Sequence, residues 1–217
     1  MPTVKEGPIL FSGTMVRANR ADLKTCTRRT RGLNHINESP DDWELERHLP
    51  DEIATSSWLF INRKTGEECW IKNPFGEKGD HLWVRETWNY LNAPKVNNQY
   101  QVCYKATDEK HVRASATGEA IKWKSPRYMP RWASRGNLEI ISTRPPERVQ
   151  DITEDDAIAE GAVIMRDEIW DRVDEMYQPA MIESPIECFA NYWDTLNGKK
   201  YPWDPNPWVW PIEYKVI

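Results

Sequence analysis

The chain has 217 residues, 39% of them hydrophobic and 29% charged, with a formal net charge of −5. That length allows one domain with a packed core; no apolar run is long enough to cross a bilayer, and a net negative chain does not coat nucleic acid by bulk electrostatics. The four cysteines (Cys26, Cys69, Cys103, Cys188) include no C-x-x-C pair, and the four histidines (His35, His48, His81, His111) share no ligand spacing, so neither a disulfide framework nor a metal site is indicated.

Met1 to Glu6 lacks the apolar stretch of a secretion signal, and the scattered cysteines fit a reducing cytoplasm. Ile9-Leu10-Phe11 reads as a first strand. Gly13 to Asp22 reads as a helix capped by Ser12, with Val16, Arg20 and Leu23 at helical spacing. It runs into Lys24-Thr25-Cys26-Thr27-Arg28-Arg29, which gathers an amine, two hydroxyls and two guanidiniums within six residues. Such a segment supplies a nucleophile with a neighbouring base, and a fork of donors for an anion or a planar base. A solvated basic turn is the plain alternative. In a regular strand Lys24 and Thr27 point to opposite faces, so they share a pocket only if the chain turns near Lys24-Thr25.

Residues from about 33 to 78 are polar, are broken by Pro40, Pro50 and Pro74, and read as an insertion. Within it Trp58 to Ile61 and Glu68 to Ile71 form a hairpin across Lys64-Thr65-Gly66. Gly79-Asp80 opens a strand from His81 to Trp88. Leu82, Val84, Glu86 and Trp88 share one face, and Trp83, Arg85 and Thr87 the other. Burying Arg85 or Glu86 requires a partner for each. Gln99 to Ala106 reads as a strand inside a second insertion, about 89–125.

Tyr128 to Arg135 is a tight loop entering a strand at Leu138 to Ser142. Its Arg131-Trp132 pair can stack on a ring and hydrogen-bond it, or Trp132 can pack the end of a barrel. Ile152 to Ala157 carries a helix start, with Thr153 as cap and Ile152 stapled on Ala157. Ala157, Glu160, Gly161 and Ile164 lie on one side of it, which puts Glu160 at the stripe's edge, either reaching a pocket or in solvent. A third insertion covers about 163–183, with a helix from Arg166 to Gln178. Ser184 to Leu196 reads as a helix with a stripe of Ile186, Phe189, Ala190 and Trp193, stopped by Asn197-Gly198. Trp208, Trp210, Ile212, Tyr214 and Val216 alternate in a last strand with an aromatic inner face, where Pro211 marks an edge or a barrel seam. Charge is uneven. One basic group runs from Arg17 to Arg31 and a second from Lys122 to Arg135, and the chain's 12 tryptophans offer flat faces for stacking.

Taken in order, PILFSGTMVRA, LKTCTRR, GDHLWVRETW, YMPRWASR, VQDITEDDAIAEGA and NPWVWPIEYKV resemble the ASCH family, a branch of the PUA-like small β-barrels. The resemblance is greatest to ASCH-type proteins carried by phages and prophages. It implies an α+β fold: one domain over 1–217, a small PUA-like β-barrel flanked by helices, with the three insertions added. It also implies RNA-related or modified-nucleoside work without a cofactor or metal. A compact bacterial branch of the family hydrolyses N4-acetylcytidine with a lysine and a threonine of a K-T-x-T segment and a glutamate on a later helix. Those positions fall on Lys24, Thr27 and Glu160 here. This chain is longer than that branch, and its insertions separate Thr27 from Glu160.

The leading expectation is therefore a metal-independent amidohydrolase acting on a modified nucleobase or nucleoside. Thr27 is its nucleophile, Lys24 the base, and Glu160 the orienting acid or base. Arg28, Arg29, Arg85, Glu86, Arg131, Trp132 and Ser134 are the expected substrate-binding residues, and backbone N–H groups or an arginine face the oxyanion. The alternatives are a non-catalytic reader of RNA or of a modified base, a ribonuclease, and an accessory protein acting through partners. The expected partner is a modified nucleoside or nucleobase, or RNA, and not a membrane. The compartment is the cytoplasm, that of the host if a phage encodes the chain.

Overall fold

A computed structural model describes residues 4–46, 57–90, 100–109, 121–165 and 184–217. Strand β1 (Glu6–Leu10) leads into helix α1 (Gly13–Arg20) and strand β2 (Cys26–Arg29). Strands β3 (Trp43–Leu45), β4 (Ser57–Asn62) and β5 (Glu68–Lys72) follow, then β6 (His81–Arg85), β7 (Trp88–Tyr90), β8 (Val102–Tyr104) and the short helix α2 (Lys105–Asp108). The described chain closes with β9 (Asn137–Thr143), β10 (Glu147–Arg148), α3 (Glu154–Ala159), α4 (Pro185–Asn197) and β11 (Trp208–Val216). The helix expected at Arg166 to Gln178 lies outside the described residues.

The fold is mixed α+β, built on a curled half-barrel sheet with few helices. Its strand order is β1-β6-β9-β11-β10, with β2 also paired to β11. The β1–β6 pair is parallel and the others are antiparallel. The strands expected near 82–88, 138–142 and 208–216 are thus neighbours in one sheet, the first only as far as Arg85. β11 is its spine. Trp210 to Glu213 pair with β2, Ile212 to Val216 with β9, and Trp208 and Val209 with β10. Pro211 falls between Val209, opposite Glu147 of β10, and Ile212, opposite Thr143 of β9. On that side it sits where one partner strand ends and the next begins, so its missing N–H breaks no ladder there, while on the other side it stands opposite Arg28 within the β2 ladder.

Residues Trp208 to Ile212 are buried without alternation, because both faces of this strand are covered. The segment read as an insertion supplies part of the cover. β3, β4 and β5 form their own antiparallel sheet, and the Phe60 ring meets Trp208 edge-on at 5.2 Å. Leu33, Ile36, Trp43, Phe60 and Ile71 belong to the same core as Val209, Trp210 and Ile212.

One expected strand is shorter than its pattern. β6 stops at Arg85, and Trp88 begins β7 in a separate two-stranded sheet with β8. Leu82 and Val84 join the main core, whereas Trp88 packs with Met129 and Ala133 in a second cluster. The cause lies at Glu86. Its carboxylate is buried and takes two bonds from Arg135, at 2.8 and 2.9 Å, which pulls the chain out of the ladder. The strand expected at Gln99 to Ala106 likewise narrows to Val102–Tyr104, and α2 begins at Lys105.

Local capping sets the helices. The Ser12 hydroxyl accepts from Met15 N–H, that of Thr153 from Asp156 N–H, and that of Ser184 from Ile186 N–H. Ser12 also lies 2.6 Å from the Tyr192 hydroxyl, tying the start of α1 to α4. No helix among the described residues is long and apolar enough to cross a membrane.

Candidate functional site at the sheet seam

The curled sheet leaves β1 and β2 each with one unpaired edge. Among the described residues β1 pairs only with β6, and β2 only with β11. Both strands line one cavity of about 530 Å³, through Pro8 to Leu10 on one side and Thr27 to Arg29 on the other. Phe189, Tyr192 and Trp193 of α4 add an aromatic wall, and Phe75 and Pro126 complete the rim. No ladder crosses this seam. Arg29 bridges it instead, donating from Nη2 to the Leu10 carbonyl at 2.8 Å with its guanidinium 4.9 Å from the Phe11 ring centre.

The turn that would bring Lys24 toward Thr27 falls just before Lys24. Asp22 adopts a φ of +54°, a left-handed conformation that a short polar residue tolerates. Beyond it Lys24 is wholly buried. Its ammonium donates to the Cys26 carbonyl at 2.8 Å, to the Glu160 carbonyl at 2.9 Å and to Glu160 Oε2 at 2.5 Å. All the ammonium protons are therefore engaged, and none is left for Thr27. Burial pulls the Lys24 pKa below its usual value, outweighing the opposing pull of the Glu160 carboxylate.

Glu160 stands at the end of α3, buried with Thr27 in the cavity lining. Gly161 makes this approach possible. Its φ is +90°, and a Cβ there would lie 3.2 Å from Ala18 Cβ and 3.6 Å from Lys24 Cβ. While Oε2 holds Lys24, Oε1 has no hydrogen-bond partner and lies 3.5 Å from Arg28 Nη1. A buried carboxylate oxygen without a donor is one that a ligand N–H can satisfy.

Arg28 is committed elsewhere. Its Nε donates to Glu147 at 2.8 Å and its Nη2 to Asp156 at 2.5 Å, while Arg144 also reaches Asp156, at 2.7 Å. Burial alone would raise the Asp156 pKa, but the bonds from Arg144 and Arg28 hold it below the usual carboxylate range. Beside this network burial and the Glu160 charge push the Cys26 thiol up to about 12, so Cys26 is no nucleophile at neutral pH.

Thr27, Arg28, Arg29 and Glu160 thus line the cavity at the seam, and Lys24 reaches it only through its bond to Glu160. The other expected substrate-binding residues do not line this cavity. Arg85 lies over the Trp83 ring at 4.5 Å and donates to the Arg127 carbonyl. Glu86 is held by Arg135. Arg131 pairs with Glu6 at 2.6 Å, and exposed Trp132 meets Trp88 edge-on at 6.0 Å. The Ser134 hydroxyl donates to the Val84 carbonyl at 2.8 Å and fixes a turn. An aromatic beside a basic residue on a loop reads alike in sequence whether it faces a cavity or solvent. Conversely, the α4 stripe reads as plain core and gives no sign that Phe189 and Trp193 border a cavity. Glu147 and Asp156 gather on Arg28, 119 and 128 positions away in the chain, and no local pattern announces it.

No family model, no curated protein and no solved structure matches this chain. The ASCH resemblance therefore rests on the sequence segments themselves.

Proposed function

We propose that this chain is an ASCH-type, PUA-like barrel enzyme that hydrolyses an amide on a modified nucleobase or nucleoside held at the seam. One observation carries the reading. Thr27 and Glu160 line the same cavity, and Glu160 is bonded to Lys24 at 2.5 Å behind it. The cavity, about 530 Å³, falls in the range of small-molecule sites, and its aromatic wall suits a planar ring.

Burial favours the free-amine form of Lys24. Thr27 Oγ then adds to the amide carbonyl carbon while its proton passes to Lys24. Arg29, the cation at the seam, faces the oxyanion. Collapse breaks the C–N bond, with the leaving nitrogen taking a proton from the Lys24–Glu160 pair. Water then cleaves the Thr27 ester, releasing the acid and restoring the hydroxyl.

A second reading, a reader that binds without chemistry, draws on the engagement of every Lys24 proton in the resting arrangement. Incubating the protein with a panel of N-acylated nucleosides, followed by mass spectrometry, separates the two. Thr27→Ala should abolish turnover while ligand binding persists, and Lys24→Arg should be nearly as damaging, since arginine stays protonated. Turnover retained by Thr27→Ala would remove Thr27 as the nucleophile, and ligand binding with no turnover by the wild type would end the hydrolase reading and leave the reader.

A further inference from the structure

The face around Trp132 stays outside the seam site and carries an unusual surface. Trp132 and Tyr100 are 59% and 49% exposed. Trp132 and Tyr100 are neighbours at 6.2 Å, and Tyr100 adjoins Tyr90 at 5.1 Å. Buried Trp88 supports the group edge-on from beneath Trp132, and its indole N–H is buried without a partner. Cations accompany these rings. Lys124 Nζ lies 3.6 Å from the Tyr90 ring centre and 5.1 Å from that of Trp88. Lys122 and Arg127 are exposed, and neither they nor Lys124 make an ion pair among the described residues.

We infer that this face is a stacking platform for single-stranded nucleic acid. Exposed rings offer π-faces to successive bases, and cations without carboxylate partners offer charge to the phosphates between them. A protein-docking face would be apolar at its centre and depleted of charge, whereas here Lys124 lies against the rings with no carboxylate partner among the described residues. With a net charge of −5, the chain draws nucleic acid only locally, so stacking supplies most of the affinity.

The platform also adjoins the seam. Pro126 lines the cavity and directly precedes Arg127 and Tyr128. Arg85 donates to the Arg127 carbonyl and stands opposite Leu10, another cavity residue. A strand stacked on Trp132 can therefore deliver a neighbouring base to the cavity, which makes the substrate a polynucleotide rather than a free nucleoside. That extension rests on the proposed function; the platform itself does not.

The test is fluorescence anisotropy with labelled, unmodified RNA and DNA strands of about ten nucleotides, titrated at about 50 and about 200 mM salt. Because these strands carry no acyl amide, binding is read without turnover. Wild type should bind single strands better than duplex. Trp132→Ala should weaken binding about tenfold or more, while Trp132→Phe, which keeps a ring, should retain most of the affinity. Lys122→Ala with Arg127→Ala should flatten the salt dependence by a slope of about 1.4, two single-strand phosphate contacts. Failure of wild type to bind at low salt, preference for duplex, or equal affinity in folded Trp132→Ala would overturn the platform and leave the seam chemistry standing. Strand binding by a protein that turns over none of the N-acylated nucleosides, nor the same strands carrying an N-acylated base, would support the platform and remove the hydrolase.

Discussion

Replacing Glu160 with glutamine tests the physical arrangement on which any function of the seam depends. The Lys24 side chain has no exposed surface, its charge is opposed by Glu160 at 2.5 Å, and Arg28 stands 3.5 Å from the other carboxylate oxygen. Glutamine keeps the size and removes the charge. Lys24 then retains two carbonyl acceptors but no buried counter-charge. Removing one partner of such a pair costs about 3–5 kcal/mol, because the orphaned charge stays buried.

The pH dependence has a definite sign. The folded-state pKa of Lys24 lies below its ordinary value of 10.5. Between those two values the unfolded chain binds more protons, so stability rises with pH across that window. Glu160→Gln removes the influence that opposes burial and widens the window downward. Its stability deficit should be largest near neutral pH and shrink as pH rises toward 10.5. Pairing it with Lys24→Met, which removes the charge itself, should abolish that pH dependence. Urea unfolding followed by circular dichroism at about pH 7 and about pH 9 reads both effects. A Glu160→Gln variant within about 1 kcal/mol of wild type, or one whose deficit ignores pH, would refute the buried ion pair.

Gly161→Ala should lower stability by about 1–3 kcal/mol, since it forces a side chain into φ +90° and against Ala18 Cβ at 3.2 Å; an unchanged melting temperature would contradict the close approach of α3 and α1. Cys26, with its thiol pushed up to about 12, should resist alkylation in the native protein. Peptide mapping after brief iodoacetamide treatment checks this, and rapid native labelling of Cys26 would show that the β2 floor is open.

What could be read in the sequence was local. Ser12, Thr153 and Ser184 announce helix starts because a cap and its N–H lie within three residues. The alternation from Trp208 to Val216 announces β11, and Pro211 announces the junction between its partner strands. The end of β6 was hidden because the alternation runs on through Glu86 and Trp88, while the side chain that captures Glu86, Arg135, lies 49 positions away. For Trp132 the residue type favoured stacking, but its position depends on Trp88 and Tyr100 in other segments. The meeting of Lys24 with Glu160, 136 positions apart, could not be read from spacing. It was implied only by the resemblance of two segments to one family.

The location of the cavity follows from the topology. β1 and β2 are joined by α1, and a helix between two strands holds their edges apart unless something else draws them together. A fully closed barrel would satisfy those edges with ladder bonds. Here Arg29 closes the gap with a side chain, which leaves room that a ladder would fill. Just before β2, Lys24 reaches across to the end of α3 and fixes Glu160 at that opening. An apolar pair of similar volume would hold α3 to β2 without desolvating two charges. A buried lysine whose proton is loosened by burial, facing a carboxylate with one unsatisfied oxygen at a cavity, is a poor choice for holding the fold and a good one for moving a proton. That difference in fitness, more than the presence of the residues themselves, favours chemistry at the seam over passive binding.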